Sequence, residues 1–104
     1  MSVNEFDALT EEIRAFAVAR DWEKFHTPKN LAMAIAGEAG ELTAEFQWLT
    51  ADESASASLT QEQLDAISLE VADVQIYLLR LADVLKIDVP DAVRRKIQIN
   101  ENRF

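Results

Sequence analysis

The stretch Gly37-Glu38-Ala39-Gly40-Glu41 decides the interpretation of this chain, because it places the only two glycines of the sequence inside a strongly helical segment. Each glycine destabilises a helix interior by about 1 kcal/mol relative to alanine. Each also stands directly before a glutamate, so the two acids are three residues apart. A second acidic pair with this spacing, Glu70 and Asp73, lies in another helical stretch. Together the two pairs predict four carboxylates arranged to hold a divalent metal ion.

The composition predicts a single all-α domain over residues 1–104. The chain has two Gly, two Pro and many Ala, Leu, Glu and Gln residues, which favours helices throughout. Hydrophobic residues make up 49% of the sequence, more than a monomer of this length easily buries, so a homo-oligomer is expected. Cysteine is absent, which excludes thiolate metal sites and cysteine nucleophiles.

The net charge of the chain restricts the kinds of molecule that it is expected to bind. With 10 basic and 19 acidic residues, the formal net charge is −9, and such a field repels nucleic acid polymers and anionic membranes. An anionic small molecule remains a possible ligand if metal cations cancel the local acids. There is no basic-then-apolar leader and no apolar run near ~18 residues, so a cytoplasmic protein is expected.

Capping patterns divide the chain into four predicted helices. Ser2 and Thr60 each stand three residues before Glu or Gln, the spacing of a capping box, and proline stands at the start of the second and fourth helices. Residues 21–26 are expected to form a compact connection, and residues 50–59 a surface loop. The predicted caps are Ser2, Thr27, Thr60 and Asp88, and the helices are expected to end near Arg20, Leu49, Leu85 and Asn100.

The acidic pairs lie where apolar residues are expected. Glu38 fills a gap in the apolar stripe of the second helix, and residues 66–79 of the third are apolar nearly all round except for Glu70 and Asp73. A helix of that kind is expected to be buried. The two helices should pack antiparallel and bring the four acids together. Buried carboxylates need compensating charge, and ligands that are all oxygen favour Mg²⁺ or Mn²⁺.

Other interpretations of the acids stay open at this point. The glycines also fit close packing of another helix, but this does not compete with a metal site, because close packing brings ligands on different helices together. Acidic pairs with this spacing are common on solvated helix faces. An acidic, non-enzymatic interaction module is therefore the main alternative. A di-iron bundle is disfavoured, because it uses Glu-x-x-His motifs and the single histidine, His26, lies outside both pairs.

The remaining residues with useful chemistry fit a nucleotide-like ligand. No Ser or Thr stands near a base in a recognisable pattern, so a metal-activated water is the simplest nucleophile. Three residues near the C-terminus supply phosphate-binding groups at helical spacing, unless they are only a solvated basic face: Lys96, Asn100 and Arg103. Four groups suit a flat nucleobase, unless they serve ordinary packing: Trp22, His26, Trp48 and Tyr77.

These residues resemble the MazG-like all-α nucleotide pyrophosphohydrolases, whose metal signature is Glu-x-x-Glu, a spacer and Glu-x-x-Asp. Here the signature is Glu38-Ala39-Gly40-Glu41, 28 intervening residues and Glu70-Val71-Ala72-Asp73. The similarity extends over nearly the whole chain and is greatest to the dCTP pyrophosphatase branch. The segments that carry it are residues 21–31, 37–42, 46–48, 73–78 and 96–100.

The resemblance implies a four-helix protomer with two long antiparallel metal-binding helices, assembled as a dimer or tetramer with sites between subunits. It implies hydrolysis of a (deoxy)nucleoside triphosphate to the monophosphate and pyrophosphate in nucleotide-pool cleansing, with dCTP or a related pyrimidine favoured. The same reaction on a damaged or other nucleotide remains an alternative. The implied roles are Mg²⁺ ligation by Glu38, Glu41, Glu70 and Asp73, phosphate or sugar binding by Lys96, Asn100, Arg103 and Tyr77, and base binding by Trp22, His26 and Trp48.

One departure from the family pattern concerns the acid that often follows three residues after the second motif glutamate. That position is Ala44 here, and the acid stands at Glu45. Glu45 is therefore not expected to be a primary metal ligand.

Overall fold

The computed structural model describes residues 4–104, and these contain four α-helices, one short 3₁₀ helix and no strand. The predicted all-α, four-helix class is confirmed. The elements are α1 (Glu5–Ala19), the 3₁₀ helix (Glu23–Phe25), α2 (Pro28–Ala44), α3 (Gln61–Leu85) and α4 (Val89–Arg103).

Polar side chains cap α1 and α4. The cap of α1 is Asn4, whose side-chain oxygen accepts the backbone N–H of Asp7 at 2.9 Å. The observed cap differs from the predicted one, Ser2, which lies outside the described residues. Asp88 caps α4 as predicted, because its carboxylate accepts the backbone N–H of Asp91 at 3.0 Å.

Two predicted helix ends are wrong. Helix α2 ends at Ala44 rather than near Leu49, because the backbone changes to turns with i→i−3 hydrogen bonds. The N–H of Phe46 donates to the carbonyl of Thr43, and that of Leu49 donates to the carbonyl of Phe46, both at 3.0 Å. Helix α4 continues three residues past Asn100, to Arg103.

The start of α3 is the predicted capping box. The Thr60 hydroxyl accepts the N–H of Gln63 at 3.0 Å, and the Gln63 side-chain oxygen accepts the N–H of Thr60 at 2.8 Å. Thr60→Ala is expected to lower the free energy of unfolding by about 1 kcal/mol, because the hydroxyl's hydrogen bond is lost. Urea unfolding measures this. Ser56→Ala, at an exposed turn position, is the control, and equal losses in both variants would contradict the role of the cap.

The described residues form two compact units. One contains the residues up to 28 together with 79–104, and the other contains residues 29–78. The first unit holds α1, the 3₁₀ helix, the end of α3 and α4, whereas the second holds most of α2 and of α3. The single domain over 1–104 stays a prediction. None of the helices in residues 4–104 combines the length and the hydrophobicity needed to cross a bilayer.

Much of the apolar surface is left uncovered by the single chain. The buried apolar residues among those described are Ala17, Leu31, Leu79 and Ala82. The prediction that residues 66–79 of α3 are buried is wrong for one chain, since Leu69 is 68% exposed and Val71 and Ile76 are also exposed. Apolar residues occur on all sides of this segment, and part of its circumference is exposed.

Candidate functional site

Three of the four predicted metal-binding acids converge in the second unit. Glu38 on α2 and Glu70 and Asp73 on α3 each offer a carboxylate oxygen, and these oxygens all lie within 4.8 Å of one another. All three side chains are half-buried. Oxygen atoms grouped at this spacing suit a shared hard divalent cation. We refer to these three residues as the acidic cluster.

Glu41 lies beside the acidic cluster rather than within it. Its side chain is exposed, and its oxygens are not among those that meet within 4.8 Å. Its charge still acts on Glu70, whose pKa is raised by desolvation first and then by neighbouring carboxylates. Those neighbours are Asp73, Glu41, Glu38 and Glu45, in order of decreasing effect.

The residues of the acidic cluster fit a divalent metal ion. The ion pairs found among residues 4–104 engage Asp21, Asp83 and Asp91, and none of them includes an acid of the cluster. The protein itself therefore leaves the repulsion that raises the pKa of Glu70 without compensation. A donor set made only of carboxylate oxygens selects hard cations such as Mg²⁺ or Mn²⁺.

The two glycines of the motif do not serve close packing within the described chain. A Cβ atom built on Gly37 or Gly40 would meet nothing within 4 Å among the described residues. Both glycines have negative φ, so the backbone conformation does not demand them either. The interpretation that they allow another helix of this chain to approach closely is wrong.

The aromatic and imidazole groups among the predicted site residues lie at three places. Trp22 and His26 flank the 3₁₀ helix and meet edge to face, with ring centroids 6.2 Å apart. Trp48 lies in the turns after α2 and is 87% exposed. Tyr77 is half-buried on α3, four residues after Asp73.

The predicted phosphate-binding residues share one face of α4, because they are spaced by four and three residues. Lys96 and Arg103 are exposed, and Asn100 is half-buried. The guanidinium of Arg103 lies over the ring of Phe104, 5.0 Å from its centroid.

Comparison with known proteins identifies the family. The model of the MazG-like family matches residues 33–104, well over half of the chain and both acidic motifs. The chain belongs to the MazG-like family.

Individual relatives confirm the resemblance to the dCTP pyrophosphatase branch. The human protein dCTP pyrophosphatase 1 is 44% identical over 89 residues, which cover 86% of this MazG-like chain and 52% of the human protein. Its mouse counterpart is 42% identical over 89 residues, with the same coverage. The chain thus spans about half the length of these curated relatives. A solved structure of a pyrophosphatase from Archaeoglobus fulgidus DSM 4304 is 38% identical, with a TM-score of 0.90 over all of this chain and 95% of that one.

Sequence reasoning missed a charged network in the first unit of this MazG-like chain. Arg80 is only 5% exposed, and it donates from Nε to His26 Nδ1 and from Nη1 to the Asp83 carboxylate, both at 3.0 Å. Arg14 donates to the same carboxylate from Nε at 2.9 Å and from Nη2 at 2.7 Å. A signal was available in the sequence, because Arg80 and Asp83 are opposite charges three residues apart in an otherwise apolar run.

The network shifts the titration of its members. The hydrogen bond from Arg14 lowers the pKa of Asp83, although burial opposes this, and Arg14 and Arg80 add Coulombic attraction. Burial lowers the pKa of His26, and the nearby charge of Arg80 lowers it further. Asp83 is therefore held as an anion, and His26 as a neutral imidazole at pH 7.

Proposed function

We propose that this MazG-like chain hydrolyses a (deoxy)nucleoside triphosphate to the nucleoside monophosphate and pyrophosphate, with dCTP or a related pyrimidine nucleotide as its substrate. The observation that carries the proposal is the convergence of the Glu38, Glu70 and Asp73 oxygens within 4.8 Å. The names of the relatives, dCTP pyrophosphatase 1 in human and mouse and a pyrophosphatase in Archaeoglobus fulgidus, support the reaction class. Cleansing of the nucleotide pool in the cytoplasm is the proposed setting.

The acidic cluster would hold Mg²⁺, with Mn²⁺ as a substitute and Glu41 as a further ligand beside it. A divalent ion bound there supplies charge neutralisation for the phosphates and activation of a water molecule. The half-buried positions of the three acids fix their oxygens on two helices, so the chain presents them with little rearrangement. The pKa of Glu70 is raised by desolvation and then by repulsion from neighbouring carboxylates, and such a cation would relieve that repulsion.

The other predicted site residues would bind the nucleotide itself. Lys96, Asn100 and Arg103 carry donors suited to phosphate or sugar oxygens, and Tyr77 is assigned the same role. The aromatic and imidazole groups Trp22, His26 and Trp48 would enclose the base by stacking and hydrogen bonding.

A homodimer or homotetramer is part of the proposal. Many large apolar residues of α1 and α3 are exposed in the single chain, and clustered exposed apolar residues are typical of surfaces that contact another protein. Sedimentation velocity measures the assembly directly. A protein that stays monomeric at micromolar concentration would contradict this part.

A substrate panel with product identification tests the reaction. The protein is incubated with Mg²⁺ and each of the four dNTPs, the four NTPs and a set of damaged nucleotides, and the products are separated by chromatography. The expected result is dCMP and pyrophosphate, with dCTP or a related pyrimidine turned over fastest. Formation of a nucleoside diphosphate and orthophosphate would contradict the proposed bond cleavage. The absence of all turnover would favour an interaction module instead.

Trp48→Ala is expected to raise the KM for dCTP, because stacking of a base on an aromatic ring contributes about 1–3 kcal/mol. The side chain is 87% exposed, so the free energy of unfolding should change by less than about 0.5 kcal/mol. Steady-state kinetics and thermal melting measure the two effects. Sedimentation velocity is the control, since a loss of assembly together with an unchanged KM would assign Trp48 to subunit packing.

A further inference from the structure

The single histidine of the chain is held by a buried arginine. Arg80 donates from Nε to His26 Nδ1 at 3.0 Å. Arginine has only donors, so Nδ1 of His26 must be an acceptor in this contact and carries no proton. In a neutral imidazole the proton is then on the other nitrogen, Nε2.

The direction of the Arg80 donor is fixed by a second set of contacts. Nη1 of Arg80 donates to Asp83 Oδ2 at 3.0 Å, and Asp83 is itself held by two hydrogen bonds from Arg14, at 2.9 and 2.7 Å. The guanidinium is planar and its donors form a rigid fork. Anchoring Nη1 on Asp83 therefore also aims Nε at His26.

The imidazole also meets an aromatic neighbour. The ring of Trp22 meets the ring of His26 at an interplanar angle of 61°, and it also meets the ring of Phe16, at a centroid distance of 5.6 Å. His26 is half-buried and Trp22 is exposed, so the pair keeps accessible surface for a ligand.

We propose that Arg80 and Asp83 are positioning residues that fix His26 as the Nε2–H tautomer, so that His26 presents a hydrogen-bond donor to the base of the bound nucleotide. The tautomer assignment is inferred from contacts within this chain alone, whereas the donor role of His26 rests on the proposed function. Burial and the charge of Arg80 both lower the pKa of His26, which keeps the imidazole neutral at pH 7.

A donor at this place favours a base that carries an acceptor. The ring nitrogen N3 of cytosine is unprotonated and accepts a hydrogen bond, whereas the same nitrogen of thymine and uracil carries a proton. A fixed Nε2–H facing that edge would therefore discriminate between pyrimidines by leaving two donors opposed in the wrong complex.

Nitrogen NMR of the imidazole tests the tautomer without any substrate. Because His26 is the only histidine, ¹⁵N-histidine labelling reports it without assignment. The wild type is expected to show a protonated Nε2 and an unprotonated Nδ1 at pH 7. Arg80→Met leaves Asp83 paired with Arg14 and is expected to mix the two tautomers. Arg14→Met, the matched control, removes a partner of Asp83 without touching His26 and is expected to keep the wild-type signals.

Several outcomes would overturn the tautomer assignment. A proton on Nδ1 or a tautomer mixture in the wild type contradicts it, and so does an unchanged spectrum in Arg80→Met. If Arg80→Met does not fold, Asp83→Asn replaces it, and a partial loss of the Nε2–H tautomer is then expected. The wild-type spectrum decides the assignment even without a variant.

Kinetics test the donor role separately. Arg80→Met is expected to raise the KM for dCTP about tenfold, which corresponds to the loss of one hydrogen bond, and to change the KM for dTTP less. A tautomer that changes in Arg80→Met while the KM for dCTP does not would overturn the donor role. If the wild type turns over no nucleotide, both the proposed function and the donor role of His26 are contradicted. The NMR spectrum still decides the tautomer in that case.

Discussion

Glu70→Gln is expected to lower nucleotide turnover by more than about 100-fold, since the loss of an outer-shell group alone commonly costs about 10–100-fold in metal affinity or activity. The pKa of Glu70 is raised by desolvation and then by four neighbouring carboxylates, so a bound cation would offset unfavourable charge at this residue. Binding of Mg²⁺ should raise the melting temperature of the wild type by mass action. Most of that response should be lost in Glu70→Gln. Melting curves with Mg²⁺ and with a chelator measure it.

The effect of Glu70→Gln on the melting temperature is expected to change sign when the metal is removed. With a chelator present, Glu70→Gln should melt at a higher temperature than the wild type, because the variant has one fewer charge among mutually repelling acids. The pKa of Glu70 is raised in the folded state, so this repulsion is present above that pKa and disappears as the pH falls through it. The gap between the two melting temperatures should therefore shrink in acid.

Glu45→Gln is the matched control for Glu70→Gln. Glu45 is exposed in the turns after α2, and it is the weakest of the four carboxylates that raise the pKa of Glu70. It should retain turnover and the Mg²⁺ response. A similar loss in both variants would mean that general negative charge, rather than a defined ligand set, attracts the cation. A Glu70→Gln variant with full activity would contradict the metal site.

The helices could be predicted from local sequence because their caps are local interactions. The capping box at Thr60 and the aspartate cap at Asp88 each depend on residues within four positions of each other. The predicted end of α2 is wrong because Phe46 and Leu49 continue the helical spacing of apolar residues into the turns that follow the helix. Periodicity reports which positions are apolar, and turns of i→i−3 hydrogen bonds can maintain a similar spacing.

The sequence predicts the candidate site only where its motifs are formed by residues that are close together in the chain. The spacing of three residues identifies each acidic pair, but the side on which each acid lies depends on the rotation of α2 and α3 about their axes. Packing sets that rotation, and it brings Glu38 into the acidic cluster while Glu41 stays exposed. The contact of Arg80 with His26 joins residues 54 positions apart, so no local pattern could reveal it.

Asp83→Ala is expected to lower the free energy of unfolding by about 3–5 kcal/mol, because it leaves the buried Arg80 guanidinium without its anion. Arg80 is 5% exposed, and the remaining contact, with neutral His26, does not compensate its charge. A loss of this size is a large part of the about 5–15 kcal/mol that stabilises a small domain. It should lower the melting temperature by more than about 10 °C. Thermal and urea unfolding measure it.

Asp21→Asn provides the control, because Asp21 is also paired at a similar distance, 2.9 Å from Lys24, but on the surface. Asparagine removes the charge and tolerates the positive φ of 56° at this position. Exposed pairs of this kind contribute about 0–1 kcal/mol. The pKa of Asp83 is lowered in the folded state, so its stabilisation is complete at neutral pH and is lost as the pH falls through that pKa. The difference between wild type and Asp83→Ala should therefore diminish in acid. Equal losses from Asp83→Ala and Asp21→Asn at pH 7 would show that burial does not set the strength of the Arg80–Asp83 pair.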